Sequence, residues 1–113
     1  LHASSGGPER VLIGAPELTA MKPGGILVNL ARGGMVDETV LVSALETGQL
    51  SGAGLDVFGE EPYTGKLCEF EQVILTPHSA TNTLETRAAM ECQSVDNALA
   101  FLNGTMGQDR QVI

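Results

Sequence analysis

The chain has 113 residues, enough for one hydrophobic core and short for two ordinary domains. Hydrophobic residues make up 42% and charged ones 18%, and 6 Lys and Arg against 14 Asp and Glu give a formal net charge of −8, so the composition is globular and acidic. The few scattered basic residues exclude a nucleic-acid or acidic-membrane footprint, and no apolar run approaches the roughly 20 residues of a membrane helix. With no charged-then-apolar leader, the expected setting is soluble and cytoplasmic.

Leu1-His2-Ala3-Ser4 lacks a start methionine and reads like a strand end entering a loop, which suggests a segment of a longer polypeptide. Ser4-Ser5-Gly6-Gly7-Pro8 is a turn cluster. A short helix is expected from Pro16 to Met21, with Pro16 at a first helical position and Lys22 kept out of helix by Pro23. Pro23-Gly24-Gly25 then turns the chain into the apolar run Ile26-Leu27-Val28-Asn29-Leu30.

Asp37 is a good N-cap, Val36 and Leu41 are spaced as a hydrophobic staple, and Val40, Leu41, Ala44 and Leu45 form one apolar face that Gly48 can close. The next apolar run is Ala53-Gly54-Leu55-Asp56-Val57. A helix between two such runs is a βαβ crossover, which makes the strands parallel. Successive apolar positions suit strands covered on both faces. Residues 58–72, with Gly59, Pro62 and Gly65, read as a surface loop leading to a third strand, Val73-Ile74-Leu75-Thr76. After Pro77-His78, Asn82 can cap a helix with Glu85 at the capping-box position. That helix should run to Asn103 and be closed by Gly104, with Ala88, Cys92, Val95, Leu99 and Leu102 along one stripe. The tail from Thr105 to Ile113 has no pattern.

Arg32, Glu61 and His78 each follow an apolar run, so parallel strands would bring them to the carboxyl edge where open α/β sheets bind ligands. A guanidinium at Arg32, beside Gly33 and Gly34, can fork onto a carboxylate; the alternative is a sheet-edge arginine paired with a surface acid. Asp56 is a polar exception in an apolar run, so it is satisfied either by neighbouring backbone or by a ligand. Glu60 and Glu61, judged alone, are ordinary solvated loop charges. His78 is the best single candidate, since a carboxylate partner would fix its tautomer and make it a general acid or base. Spacing does not place His2. Cys68 and Cys92, with no C-x-x-C and no metal-ligand spacing, are expected to be reduced structural thiols. No metal site is expected. No stretch matches G-x-G-x-x-G, because Gly52-Ala53-Gly54 is followed by Leu55, Asp56 and Val57. Asn103-Gly104-Thr105 is an incidental glycosylation triplet.

Taken in order, Leu12-Ile13-Gly14-Ala15, Met21-Lys22-Pro23-Gly24, Val28 through Glu38, Gly52 through Phe58, Glu61-Pro62 and Leu75-Thr76-Pro77-His78 resemble the NAD-dependent D-isomer-specific 2-hydroxyacid dehydrogenases. Glu61-Pro62-Tyr63 and Thr76-Pro77-His78 resemble the phosphoglycerate dehydrogenase branch. The resemblance implies an α/β fold: the second half of a Rossmann-type parallel sheet, a βαβ unit plus a third strand, with a long C-terminal helix. Residues 1–104 would be a partial NAD-binding domain with its return helix and 105–113 a tail or linker.

The resemblance assigns substrate binding to Arg32, the histidine-pairing carboxylate to Glu61 and the acid/base to His78. It places cofactor contacts at Leu30, Ala31, Arg32, Asp56, His78, Ser79 and Ala80. The implied reaction is hydride transfer between NAD and C2 of a 2-hydroxy or 2-oxo acid, with NADP left open because the family's ribose-reading acid is not in these residues. Its glycine-rich turn is also absent, so the 113 residues alone are expected to be inactive. Ser79-Ala80-Thr81 departs from the glycine-containing run often found after the histidine. The competing expectation is a non-catalytic remnant or a module that forms a homo-oligomer through an open sheet edge and an exposed helical stripe.

Overall fold

A computed structural model of the chain describes residues 1–3 and 10–107. It divides into two compact units, one from Leu1 to Ala80 and one from Thr81 onward. The first holds a three-stranded parallel sheet of order β1 (Gly25–Asn29), β2 (Leu50–Leu55), β3 (Val73–Leu75). Asn29 pairs with Leu55 and Leu55 with Leu75, so the three strands end level. The segments that follow them leave from one edge, as expected of a Rossmann-type half-sheet.

Helix α1 (Ala15–Ala20) starts one residue before the expected Pro16, and the Gly14 N–H donates to Glu17 Oε2 at 2.9 Å. Gln49 Nε2 closes its far end by donating to the Leu18 and Met21 carbonyls at 3.0 and 2.9 Å. In the crossover, α2 (Glu38–Glu46) is capped as its sequence indicates: Asp37 Oδ1 accepts the Thr39 and Val40 N–H groups at 3.0 and 3.1 Å. The staple residues Val36 and Leu41 are both buried. Gly48 follows at φ +74°, where a side chain would be strained.

Leu18, Leu27, Leu41, Leu45, Leu50, Leu55 and Leu67 meet in one core between these helices and the sheet. Leu67, fully buried, comes from a single 3₁₀ turn (Lys66–Glu69) in the otherwise irregular link between β2 and β3. Each such leucine contributes roughly 1.5–3 kcal/mol of burial.

The sequence expectations need several corrections. β2 begins at Leu50, earlier than Ala53, and ends at Leu55, so Asp56 lies just beyond the strand. The sheet is covered on one face only among the described residues: Ile26, Val28 and Ile74 are 65%, 48% and 71% exposed. Both helices and Leu67 crowd the other face. Cys68 and Cys92 are unpaired but exposed, so neither is a buried structural thiol.

The second unit is α3 (Leu84–Leu102), closed by Asn103 and by Gly104 at φ +65° as anticipated. Its N-cap is Thr83 and not Asn82: Thr83 is the last extended residue, and its Oγ1 accepts the Thr86 N–H at 3.1 Å. None of its residues is buried, so the stripe from Ala88 to Leu102 stands uncovered. Of the expected tail, residues from 108 on lie outside the described ones, as do residues 4–9 of the N-terminal turn cluster. Among the described residues no helix is long and apolar enough to cross a membrane.

Candidate functional site

Three loops leave the carboxyl edge of the sheet, each shaped by a polar side chain. At the end of β1, Asn29 is 1% exposed; its Oδ1 accepts the Ala31 N–H at 3.0 Å and its Nδ2 donates to the Arg32 carbonyl at 2.9 Å. Leu30 is partly exposed, Ala31 is buried and Arg32 is exposed. Arg32 has no ion-pair partner among the described residues, and its Nη1 donates to the Ala31 carbonyl at 2.7 Å. Among the described residues no surface acid neutralises its charge.

After β2, Asp56 is 2% exposed and is satisfied from within the chain. Oδ1 accepts from Thr76 Oγ1 at 2.5 Å and the Ser79 N–H at 2.8 Å, and Oδ2 accepts the Ala80 N–H at 2.8 Å. Burial pushes this carboxyl up, but the bonds from Thr76, Ser79 and Ala80, with the charge of His78, outweigh it and hold the pKa below the ordinary aspartate value. Asp56 thus fixes the loop that follows β3, and the Ser79 and Ala80 N–H groups point at it.

On that loop His78 sits at φ +52°, a left-handed conformation that costs a non-glycine residue about 1–3 kcal/mol and is characteristic of functional sites. Its N–H donates to the Thr76 carbonyl at 3.0 Å. Its Nδ1 lies 3.1 and 3.0 Å from Glu61 Oε1 and Oε2, and Glu61 Oε1 also accepts the Phe58 N–H at 3.1 Å. The hydrogen bond from His78, then that from Phe58, lowers the Glu61 pKa despite some desolvation. A carboxylate can only accept, so Nδ1 carries the proton and Nε2 is left for a ligand.

Glu61 and His78 line a cleft of about 580 Å³ whose other walls include Phe58, Pro62, Tyr63, Leu75 and Pro77. Phe58 and Tyr63 stack with centroids 4.7 Å apart. That volume and a mostly apolar lining with a few convergent polar groups are typical of small-molecule sites. Arg32 does not line this cleft. Glu60 is an exposed loop residue and His2 is exposed. Among the described residues no cluster of His, Cys, Asp and Glu could hold a metal ion.

Sequence reasoning missed Asn29, Thr76 and the Phe58 N–H. The one available signal was a polar residue near the end of the first and of the third apolar run, Asn29 and Thr76.

Comparison with known proteins identifies the family. Residues 1–80 match the family model described as the D-isomer specific 2-hydroxyacid dehydrogenase NAD binding domain. A glyoxylate reductase of Thermococcus gammatolerans is 48% identical over 94 residues, covering 82% of this chain and 28% of its own. A glyoxylate/hydroxypyruvate reductase B of Pectobacterium carotovorum is 43% identical over 100 residues, 87% of this chain and 31% of that protein. Among solved structures, an NADPH-dependent glyoxylate/hydroxypyruvate reductase from Sinorhizobium meliloti in complex with NADP and malonate superposes with a TM-score of 0.69 at 45% identity, covering 80% of this chain and 28% of that one. The chain therefore spans less than a third of the length of these relatives. A parallel half-sheet with its polar loops at one edge and a family match across all of it make this chain a member of the D-isomer-specific 2-hydroxyacid dehydrogenases, carrying part of their NAD-binding domain.

Proposed function

We propose that the chain supplies the proton-handling part of an NAD-linked dehydrogenase acting on a small 2-oxo or 2-hydroxy acid of the glyoxylate or hydroxypyruvate class. The observation that carries this reading is the Glu61–His78 pair: an imidazole with Nδ1 held by a carboxylate and Nε2 free, in a cleft at the carboxyl edge of a parallel sheet. The names of the relatives favour substrates smaller than the phosphoglycerate-like one suggested by Glu61-Pro62-Tyr63.

The residues suit the nicotinamide end of NAD or NADP, because the carboxyl edge of the sheet presents an apolar cleft lined by one imidazole, and the loop after β1 carries a guanidinium with no ion-pair partner among the described residues. When bound, the nicotinamide supplies a hydride to C2 of the 2-oxo acid. His78, protonated on both nitrogens, gives its Nε2 proton to the C2 oxygen, and the 2-hydroxy acid results; oxidation runs the same transfer backwards. Glu61 holds the ring through Nδ1 and so keeps Nε2 turned to the ligand. Arg32 binds the substrate carboxylate through its fork. Leu30, Ala31, Ser79 and Ala80 shape the wall on the cofactor side, and Asp56 lies behind them.

A graft tests this. Residues 1–80 replace the corresponding segment of the Thermococcus gammatolerans glyoxylate reductase, and NADH oxidation with glyoxylate is followed. The graft should be active, His78→Gln should lower kcat by about 10²–10⁴-fold, and Arg32→Gln should chiefly raise KM. Full activity of the His78→Gln graft would rule out the acid/base role.

A further inference from the structure

We infer that Asn29 is a positioning residue: its buried carboxamide fixes the path of residues 30–33 and thereby sets where Arg32 stands relative to the Glu61–His78 pair. The inference rests on the functional reading of Arg32 and His78 above, but its test uses no turnover, so either can fail without the other.

A strand end does not itself call for an amide. Leu27, two residues earlier on the same face, fills its place with hydrocarbon, and burying a polar group is costly unless its bonds are made. Asn29 makes them on both sides of one planar group, accepting from the Ala31 N–H and donating to the Arg32 carbonyl. The same carbonyl takes the Met35 N–H at 3.3 Å, so the Arg32 peptide is pinned from two directions. An aspartate lacks the donor, and a serine is too short to span both partners.

The pinned segment is pressed against the loop that carries Glu61. A Cβ placed on Gly33 would lie 1.9 Å from the Phe58 carbonyl carbon and 2.0 Å from its oxygen, so only glycine lets these two backbones touch. The Phe58 N–H in turn holds Glu61 Oε1, and Glu61 holds His78. A second tie starts from the Asn29 backbone, whose carbonyl accepts the Asp56 N–H at 3.1 Å. Asn29 therefore stands at the head of a continuous series of contacts from the Arg32 loop to the imidazole. Its loss should be felt at His78 and not only at the strand end.

Nuclear magnetic resonance of the 113-residue chain decides. In the unmodified chain the Asn29 carboxamide protons should exchange with solvent at least about tenfold more slowly than those of exposed Gln72. Asn29→Asp keeps the acceptor for Ala31 but sets an oxygen against the Arg32 carbonyl. It should shift the amide signals of Arg32, Gly33 and Phe58 and the ring C–H signals of His78, while the Leu41 and Leu45 amides stay protected. Asn29→Ser, a milder change, is read the same way if the aspartate variant does not fold. Shifts that stop at Ala31 with His78 unmoved, or an Asn29 carboxamide exchanging as fast as that of Gln72, would overturn the inference.

Discussion

A carboxylate as buried as Asp56 stays charged only if its neighbours replace water, and Thr76, Ser79 and Ala80 do so. Its folded pKa is depressed. The stability it contributes is therefore fully present above the ordinary aspartate value of about 3.9 and is lost as pH falls from there through the lower folded value. Asp56→Asn turns an NH₂ towards one of these donors and should cost about 2 kcal/mol at neutral pH. Urea midpoints of the two proteins should differ most at neutral pH and converge in acid; a gap that stays constant would mean that the charge is not what matters. At this scale the sequence was readable unevenly. His78 and Glu61 became a pair only through the family resemblance, since a separation of seventeen positions hides their contact from spacing. Asn29 passed as an ordinary strand residue, because a local pattern cannot show which backbone groups a loop will bring to a side chain.

Local signals determined the elements well where one residue type had one use. Asp37, Val36, Leu41 and Gly48 marked the start and end of α2, and each performs its expected task. Asp37→Ala should therefore lower stability by about 1 kcal/mol, with faster amide exchange at Thr39 and Val40 as the site-specific sign; unchanged exchange there would remove the cap from the account. Where a neighbouring residue could serve as well, the local pattern pointed to the wrong one. The sequence predicts Asn82 as the cap of α3, and the extended backbone at Thr83 gives that place to Thr83. The apolar runs identified three strands, yet Ile26, Val28 and Ile74 show that a run suited to two covered faces does not ensure that both are covered. Cover is supplied by distant chain, which no local pattern reports.

For the whole molecule, holding the proposed acid/base pair is not the same as catalysing. Hydride transfer needs the nicotinamide and C2 held in contact, and that positioning supplies up to about 7–11 kcal/mol of barrier reduction. The residues described here give an imidazole, its carboxylate and an unpaired guanidinium at one sheet edge. The 113 residues contain no G-x-G-x-x-G turn to seat a pyrophosphate at a helix N-terminus. The free chain should therefore show no NADH oxidation above background with glyoxylate or hydroxypyruvate, even though slow amide exchange at Leu41 and Leu45 reports a folded core. Turnover by the free chain that His78→Gln abolishes would show that the carboxyl edge alone can orient both reactants. Without such turnover, activity confined to the graft described above would place the missing rate in orientation and leave the chemistry with Glu61 and His78.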